Sequence, residues 1–530
     1  FGSGPMSNSL EEVADADAIL IIGSSTTEQH PLIGTRVFEA LEKGAKLFVA
    51  DPRRIQLADF AHEYAALEPG TNLAFINALI HVIIEEDLYD HEFVSQRVEG
   101  FEELKESVRE YTPEWAEPIT SVPAETIRNI ARGYATAEKA SVLYAMGITQ
   151  HVTGSRNVLA LANLVMLTGN IGREGTGLNP LRGQGNVQGA CDMGGLPDVL
   201  PGYQKAVLPA TQEKFSAVWG EYSSLDGNKL SEMFEKIEDG TMKALFVMGE
   251  NPALSDPDQT HILHCLEMVP FLVVQDIFLT ETAAYADVIL PGASFLEKDG
   301  TFTNTERRVQ RIHQAVEPVG NSRPDWVILR DLIREMGYTA EYQSPSEIMD
   351  EINLLVPQYG GITYERIEEV GLQWPCPDKD HPGTRFLHKD KFTRGKGLMV
   401  PTPYAGPGET ADGEYPFILT TGRVHHHYHT GTMTREVWTL DREYPRGFIE
   451  INREDGKKMG LWEGQTVQVS SRRGTVEAKA VLTDRILPGV VFMPFHFAES
   501  PVNRLTNQNL DPTVKIPELK VAAVRIEVAK

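Results

Sequence analysis

The sequence predicts an α/β protein made of two related doubly wound domains and a C-terminal β-barrel. Two observations predict the paired domains. A strand running into a glycine, then a strand ending in an aspartate, occurs twice, with 28 positions from Gly23 to Asp51 and 27 from Gly249 to Asp276. Each aspartate is followed by a related turn, AALEPG ending at Gly70 and ADVILPG ending at Gly292. A third observation predicts the barrel: from Tyr415 the pattern changes to short alternating strands separated by glycine-containing turns. A chain of 530 residues exceeds what one core serves, and its 41% hydrophobic content suffices to give each domain a core.

Along the chain, ADAILIIG from Ala16 to Gly23 reads as a buried strand, SSTTEQHP as a loop, and Leu32 to Lys43 as a helix. The strand KLFVAD then ends on Asp51, where an acidic side chain can meet a ribose or base in doubly wound folds. GxGxxG is absent, so an ordinary NAD site is poorly supported, while a nucleotide beyond the strand ends is expected. SVLYAMGITQH is a strand reaching a glycine loop at Gly147, and SRNVLALANLVMLTG spaces its apolar residues as a core helix does. The opening grammar returns in KALFVMGENP and FLVVQDIFLT, and two such units imply two nucleotide-like moieties. GTFTNTERRVQ, from Gly300 to Gln310, mixes hydroxyls, an amide and paired arginines, and on composition alone reads as a solvated hairpin. Residues from about Tyr338 to Pro407 are proline- and charge-rich and read as a connecting region rather than a core. FILTTGR, GQTVQVSSRRGTVEAKAVL and GVVFMPFH supply the barrel strands. The expected domains are residues 1–184, 185–345 with inserted segments, a connecting region 346–399, and the barrel 400–530.

A formal net charge of −26 argues against a nucleic-acid or anionic-membrane surface, since phosphate binding needs a basic face. An anionic substrate would therefore need a local positive pocket. Cys191, Cys265 and Cys376 show no CxxC pairing, which supports neither a disulfide framework nor a self-contained zinc or iron-sulfur site and fits a reducing, cytoplasmic compartment. No apolar run reaches the ~18 residues of a membrane-spanning helix, and the first residues lack a signal-peptide pattern. The chain opens without methionine inside what reads as a glycine-rich loop, so the natural protein is expected to extend upstream.

Three polar segments point to chemistry. Asn179 to Gly195, NPLRGQGNVQGACDMGG, sets one arginine among glycines and amides and reads as a loop presenting N–H groups and a guanidinium to an anionic ligand. TGRVHHHYHTGTMTR follows a strand directly. Adjacent strand residues point to opposite faces, so these histidines read as a polar loop touching a phosphate-bearing cofactor rather than as a metal site. NRLTNQNLDPTVKIPELK, from Asn503 to Lys520, is amide-rich in the same way.

GSGPMSNS, IIGSSTTEQHP, ADPRR, EPGTN, MGITQ, RGQGNVQGACDMG, MGENP, VQDIF, ADVILPG, GTFTNTERRVQ and LTNQNLDPTVKIPELK occur in that order over essentially the whole chain. Together they resemble the catalytic alpha subunit of molybdenum- or tungsten-dependent formate dehydrogenases, in the molybdopterin oxidoreductase (DMSO reductase) superfamily. The resemblance implies a barrel of double-psi type, two molybdopterin guanine dinucleotides around one molybdenum or tungsten, and oxidation of formate to carbon dioxide. It makes Arg182 the residue that holds the formate carboxylate, with Gln184 beside it. It places Gly23, Ser25, Glu28, Asp51, Arg53, Gly70 and Asn72 at one dinucleotide, with Gly147 and Gln150 nearby. Gly249, Glu250, Asn251, Gln275 and Asp276 fall to the other, while Arg423, His426, His427, Thr430, Asn507 and Lys520 close over the pterins from the barrel.

The family's four-cysteine iron-sulfur domain, and its Cys or Sec followed by His at the metal, lie upstream of the segment matching FGSGPMSNS. This chain therefore offers no metal ligand, and a fragment of a longer enzyme working with electron-transfer partners is expected. Two rivals remain open at this point: a relative acting on another oxyanion such as nitrate, and a metal-free structural relative in electron transfer. Retention of both half-units and of Arg182 counts against the second.

Overall fold

A computed structural model describes residues 1–222 and 225–529. The chain forms two compact units, one of residues 1–183, 254–261 and 386–530, the other of residues 184–253 and 262–385.

The first unit opens with β1 (Ala18–Ile22), α1 (Pro31–Glu42), β2 (Lys46–Ala50), β3 (Glu63–Ala65), α2 (Asn72–Glu85), β4 (Ala140–Tyr144), α3 (Gly154–Leu167) and β5 (Gly177–Pro180). Its strands form one parallel sheet in the order β3-β2-β1-β4-β5. A parallel sheet is covered on both faces, which is why AILII is apolar at every position and wholly buried. Alternation sends Leu20 and Ile22 into one core with Phe75, Leu79 and Leu164 of α2 and α3, and Ile19 and Ile21 into another with Ile33 and Val37 of α1. Pro31 starts α1, where its fixed φ suits the first turn.

The strand order reverses between β1 and β4, and there two glycine backbones touch. The Gly147 N–H donates to the Gly23 carbonyl at 3.1 Å, and a Cβ on Gly147 would stand 2.6 Å from that oxygen. Gly23 itself has φ +60°, so both positions demand glycine.

In the second unit α4 (Val187–Asp192) precedes β6 (Leu245–Met248), β7 (Leu272–Asp276) and β8 (Val288–Pro291), parallel in the order β8-β7-β6. This repeats β3-β2-β1 in detail. Gly249 (φ +62°) donates to the Gln275 carbonyl at 2.8 Å, as Gly23 donates to that of Ala50 at 3.0 Å. A 3-10 turn follows each aspartate, at Gln56–Phe60 and at Thr282–Tyr285. The paired spacing in the sequence thus reflects two copies of one supersecondary unit. The copies differ in extent: among the described residues the second sheet holds three strands and lacks counterparts of β4 and β5.

Two expectations are corrected here. The segment Asn179–Gly195 is not one irregular loop: its start lies in β5 and its second half is α4, fastened by an i,i+4 bond from Gln188 Nε2 to Asp192 Oδ1 at 2.8 Å. GTFTNTERRVQ does form a hairpin, β9 (Gly300–Thr303) with β10 (Arg308–Ile312), and β11 (Leu372–Gln373) pairs with β10. It is not solvated throughout, because Arg307 is wholly buried and donates to the carbonyls of Trp374, Thr384 and Arg385.

The proline- and charge-rich stretch likewise contributes core. Tyr359, Ile362, Ile367, Trp374 and Cys376 pack together with Phe215 and Val309. Composition misleads there because its polar residues are interleaved with large apolar ones that meet in space rather than in sequence.

The first unit also holds β12 (Phe417–Gly422), β13 (Phe448–Asn452), β14 (Thr466–Ser470), β15 (Thr475–Thr483), β16 (Val490–Pro494) and β17 (Ala522–Val528). They close a six-stranded barrel in the order β12-β16-β13-β15-β14-β17. β12–β16 and β13–β15 are parallel and the other pairs antiparallel. Alternate residues such as Ile449, Ile451, Val467 and Val469 fill its interior.

Candidate functional site

In open α/β sheets the ends of the strands at the point of reversal form a ligand crevice. In the first unit that place is the Gly23–Gly147 contact. Ser25 Oγ donates to Glu28 at 2.8 Å, and Glu28 also faces Arg53 and Arg485, each at 3.6 Å. Arg53 is turned inward. It makes a two-pronged bond to Glu450 of β13 at 2.9 and 3.0 Å and stacks its guanidinium over Phe492 of β16. Its part is therefore to tie the sheet to the barrel.

Asp51 Oδ1 accepts the Arg53 N–H at 3.0 Å, as Asp276 Oδ1 accepts that of Ile277 at 2.7 Å in the second unit. Burial pushes the Asp51 carboxyl up to about 6, against the pull of Arg53. Asn72 Nδ2 reaches His151 Nε2 at 3.2 Å and the Gly147 carbonyl at 3.5 Å. Gly70 (φ +88°) abuts Pro407, and Gln150 ends the short helix that carries Gly147.

Arg182 lies two residues beyond β5 at the same edge of the sheet. The N–H of Leu181 donates to the Tyr144 carbonyl at 2.8 Å, which carries the end of β5 along that of β4. His30 Nε2 meets the Arg182 carbonyl at 2.9 Å, and Arg423 Nη1 donates to the Gly183 carbonyl at 2.8 Å. Burial raises the Tyr144 phenol to about 12 despite the neighbouring Arg182.

The barrel supplies the other polar groups of this unit. His427 spends both ring nitrogens on the chain, with Tyr444 O at 2.8 Å and Thr434 Oγ1 at 3.2 Å, so it holds its loop in place. Thr430 pairs with Thr432, and Asn507 Nδ2 donates to the Val521 carbonyl at 2.8 Å. His426 Nδ1 is buried without a hydrogen-bond partner among the described residues. Lys520 Nζ donates to the Thr421 carbonyl at 2.8 Å. Burial, with Arg423 adding repulsion, lowers its ammonium to about 7 against the pull of Asp51.

That shift has a signed consequence. Between about pH 7 and the ordinary 10.5 the unfolded chain carries more protons at Lys520 than the folded one, so stability of the ligand-free protein rises with pH there. Glu518, raised by burial to about 7, and Asp51, raised to about 6, act in the opposite sense only below those values. Urea unfolding at a series of pH values is expected to show the rise in the parent and its loss in Lys520→Met. Parallel profiles would refute the assignment.

In the second unit Asn251 Nδ2 donates to Glu281 at 2.7 Å and its Oδ1 accepts from Thr282 Oγ1 at 2.7 Å, which shapes the loop after β6. Gln275 Nε2 donates to Asp325 at 2.7 Å, and its buried Oε1 has no partner among the described residues. Burial raises the Asp276 carboxyl, with Glu250 nearby adding to the effect. Gln184 is half-buried ahead of α4.

Sequence reasoning missed His30, His151, Glu450 and Asp192 as contributors. Asp192 is fully buried and accepts from Gln188 and Tyr203 at 2.8 Å, Tyr359 at 2.6 Å and Trp374 Nε1 at 2.7 Å. The signal that could have found His30 is its position just before the proline that opens α1, directly after the first glycine loop.

Comparison with known proteins gives the family. Residues 2–335 match the family model described as molybdopterin oxidoreductase, and residues 417–523 that of a molydopterin dinucleotide binding domain. The chain is 53% identical over 533 residues to the F420-dependent formate dehydrogenase subunit alpha of Methanocaldococcus jannaschii, covering 99% of this chain and 79% of that protein. It is 41% identical over 535 residues to formate dehydrogenase H of Escherichia coli, covering 99% and 75%. Among solved structures, acetylene hydratase from Pelobacter acetylenicus matches with a TM-score of 0.77 at 21% identity, over 99% of this chain and 79% of that one, a likeness of fold.

Proposed function

The chain belongs to the molybdopterin oxidoreductase family and, within it, to the formate dehydrogenase alpha subunits, and on that premise we propose how its residues serve the reaction. Formate is oxidised to carbon dioxide with release of one proton and two electrons. Two molybdopterin guanine dinucleotides, one for each half-unit, hold a molybdenum or tungsten, which supplies the two-electron chemistry when bound.

The residues present fit such a group. Among the described residues, His30 Nδ1 in the first unit and Gln275 Oε1 in the second are buried without a hydrogen-bond partner. Buried acceptors of this kind suit the N–H groups of a guanine or pterin. Arg423 and Lys520, both lowered by burial, suit pyrophosphate. Glycine at positions 23 and 147 lets the backbone approach closely, as a phosphate site requires. No residue of the chain is assigned as a metal ligand; the family's iron-sulfur cluster and metal-binding Cys or Sec belong to sequence upstream of the segment matching Phe1.

Arg182 receives the formate carboxylate. The observation that carries this is its place at the carboxyl edge of the first sheet, on backbone secured by Tyr144, His30 and Arg423. A planar guanidinium accepts both carboxylate oxygens, orients the C–H bond and offsets the charge in a chain that is strongly acidic overall. Replacing Arg182 by lysine in the holoenzyme, with metal and pterin content measured alongside turnover, tests the assignment.

No helix among the described residues is long and apolar enough to cross a membrane, and among the described residues Cys191, Cys265 and Cys376 form no disulfide. We infer a cytoplasmic enzyme from its cysteine usage, three cysteines without CxxC spacing. Its electrons pass to partner subunits, and the name of the M. jannaschii relative supports F420 as their acceptor.

A further inference from the structure

We propose that Glu450 is a positioning residue for the first dinucleotide: it draws the Arg53 guanidinium away from Glu28 and so keeps the Glu28 carboxylate available to the N–H and O–H donors of a bound guanosine. The proposal rests on the reading of the crevice around Gly23 and Asp51 as a dinucleotide place.

Glu28 stands between two arginines that both stop short of it. Arg53 Nη1 lies 3.6 Å from Glu28 Oε2 and Arg485 Nη2 lies 3.6 Å from Oε1, beyond hydrogen-bond reach, while Ser25 Oγ donates to Oε2 at 2.8 Å. Each arginine is held elsewhere. Arg485 Nε donates to the Arg54 carbonyl at 3.2 Å. Arg53 spends Nε and Nη2 on the two oxygens of Glu450, and its guanidinium lies 3.7 Å from the centre of the Phe492 ring. Glu450 and Phe492 are direct partners across the antiparallel β13–β16 pair, so their side chains share one face of the barrel wall. One grips the guanidinium at its edge and the other covers its plane.

Fastening the sheet to the barrel does not depend on Glu450 alone. The backbone fastens it as well: Arg53 forms a β-bridge with Ile486, and the Arg54 N–H donates to the Arg485 carbonyl at 2.6 Å. What the Glu450 carboxylate adds is the direction of the charged end of Arg53.

Both members of that pair are almost wholly buried, with side chains 7% exposed. A buried cation that loses its anion pairs with the next carboxylate within reach, and Glu28 is 3.6 Å away. With glutamine at position 450 the negative charge and one prong are lost, and the guanidinium closes onto Glu28. An ionised carboxylate offers only acceptors, so a Glu28 whose oxygens are taken up by Arg53 is lost to the guanosine.

The test uses the full-length holoenzyme and the variants Glu450→Gln, Glu28→Gln, Glu28→Gln/Glu450→Gln and Arg53→Met/Glu450→Met. Guanine nucleotide and metal per chain are measured first. The rate at which guanine nucleotide escapes into a filtrate is then followed in urea below the unfolding transition, with circular dichroism showing that the fold persists. Glu450→Gln and Glu28→Gln are each expected to release nucleotide about tenfold faster than the parent, as for loss of one hydrogen bond to a charged group. Glu28→Gln/Glu450→Gln is expected to match Glu28→Gln within about twofold, because Glu450 acts through Glu28. Removing the guanidinium together with its partner, in Arg53→Met/Glu450→Met, is expected to return the rate to within about threefold of the parent.

Release at the parent rate from Glu450→Gln or from Glu28→Gln would overturn the proposal. So would losses that multiply in Glu28→Gln/Glu450→Gln, which would make Glu450 a fastening for the barrel only, or fast release from Arg53→Met/Glu450→Met, where no Arg53 guanidinium remains to close on Glu28. A parent holoenzyme that holds no guanine nucleotide would instead overturn the reading of the crevice itself. Should Glu450→Gln not accumulate as holoenzyme, Glu450→Asp, which keeps the charge one methylene short of Arg53, is expected to release nucleotide about threefold faster, and release at the parent rate would overturn the proposal.

Discussion

Arg182→Lys is expected to lower kcat/KM for formate by roughly tenfold to a hundredfold or more while metal and pterin content stay at the parent level. A charge-assisted bidentate contact contributes on the order of 1.5 to 3 kcal/mol, and lysine forfeits the second prong while keeping the charge. The variant therefore separates geometry from net charge. The bonds from His30 and Arg423 run to the backbone carbonyls of Arg182 and Gly183, so the substitution does not remove them. Steady-state kinetics with formate, normalised to metal content, provide the check. Turnover at the parent level with normal loading would remove Arg182 from the role of carboxylate clamp.

Asp192→Ala carries the largest expected cost in stability. Its two carboxylate oxygens take hydrogen bonds from Gln188, Tyr203, Tyr359 and Trp374, and Tyr359 is nearly inaccessible to water. Truncation strands these donors, and each buried group left unsatisfied costs roughly 1–3 kcal/mol. With some relaxation a total of about 3–5 kcal/mol follows, comparable to breaking a buried ion pair. Asp192→Asn keeps one acceptor oxygen and is expected to cost less. Denaturant unfolding gives the totals, and amide exchange over residues 187–192 and 372–376 shows whether the loss is local to this network. A change within about 0.5 kcal/mol, the ordinary range of a surface substitution, would mean that the network contributes little to stability.

What was legible in the sequence followed from how local the cause was. Gly23 with Asp51 and Gly249 with Asp276 mark strand ends, where conformation and hydrogen bonding are set within a few residues, so the repeated unit could be read directly. The barrel announced itself by period-two alternation, and its order β12-β16-β13-β15-β14-β17 could not follow from that period. Arg307, Asp192 and Trp374 were illegible for one reason: a buried polar side chain is recognisable only once its partner is known, and Trp374 reaches Asp192 across 182 positions. His30 faced the same limit, since the carbonyl it holds lies 152 positions away. Arg53, Asn251 and His427 occupy sites that the family resemblance assigns to cofactor contact, yet their hydrogen bonds run to Glu450, to Glu281 and Thr282, and to Tyr444 and Thr434. Those bonds order the loops that carry these residues, a contribution that motif matching cannot see.

The repeat itself has the most direct consequence for the cofactor. Two copies of a strand–glycine, strand–aspartate unit, each with its own aspartate accepting an N–H that follows it, carry the proposal of one nucleotide place apiece. The full-length enzyme, purified from its source with metal content determined, can be denatured and its released guanine nucleotide counted against polypeptide by chromatography. Two guanine nucleotides per chain, with one molybdenum or tungsten, is the result expected from paired half-units. A single guanine nucleotide per fully metal-loaded chain, or none, would contradict it.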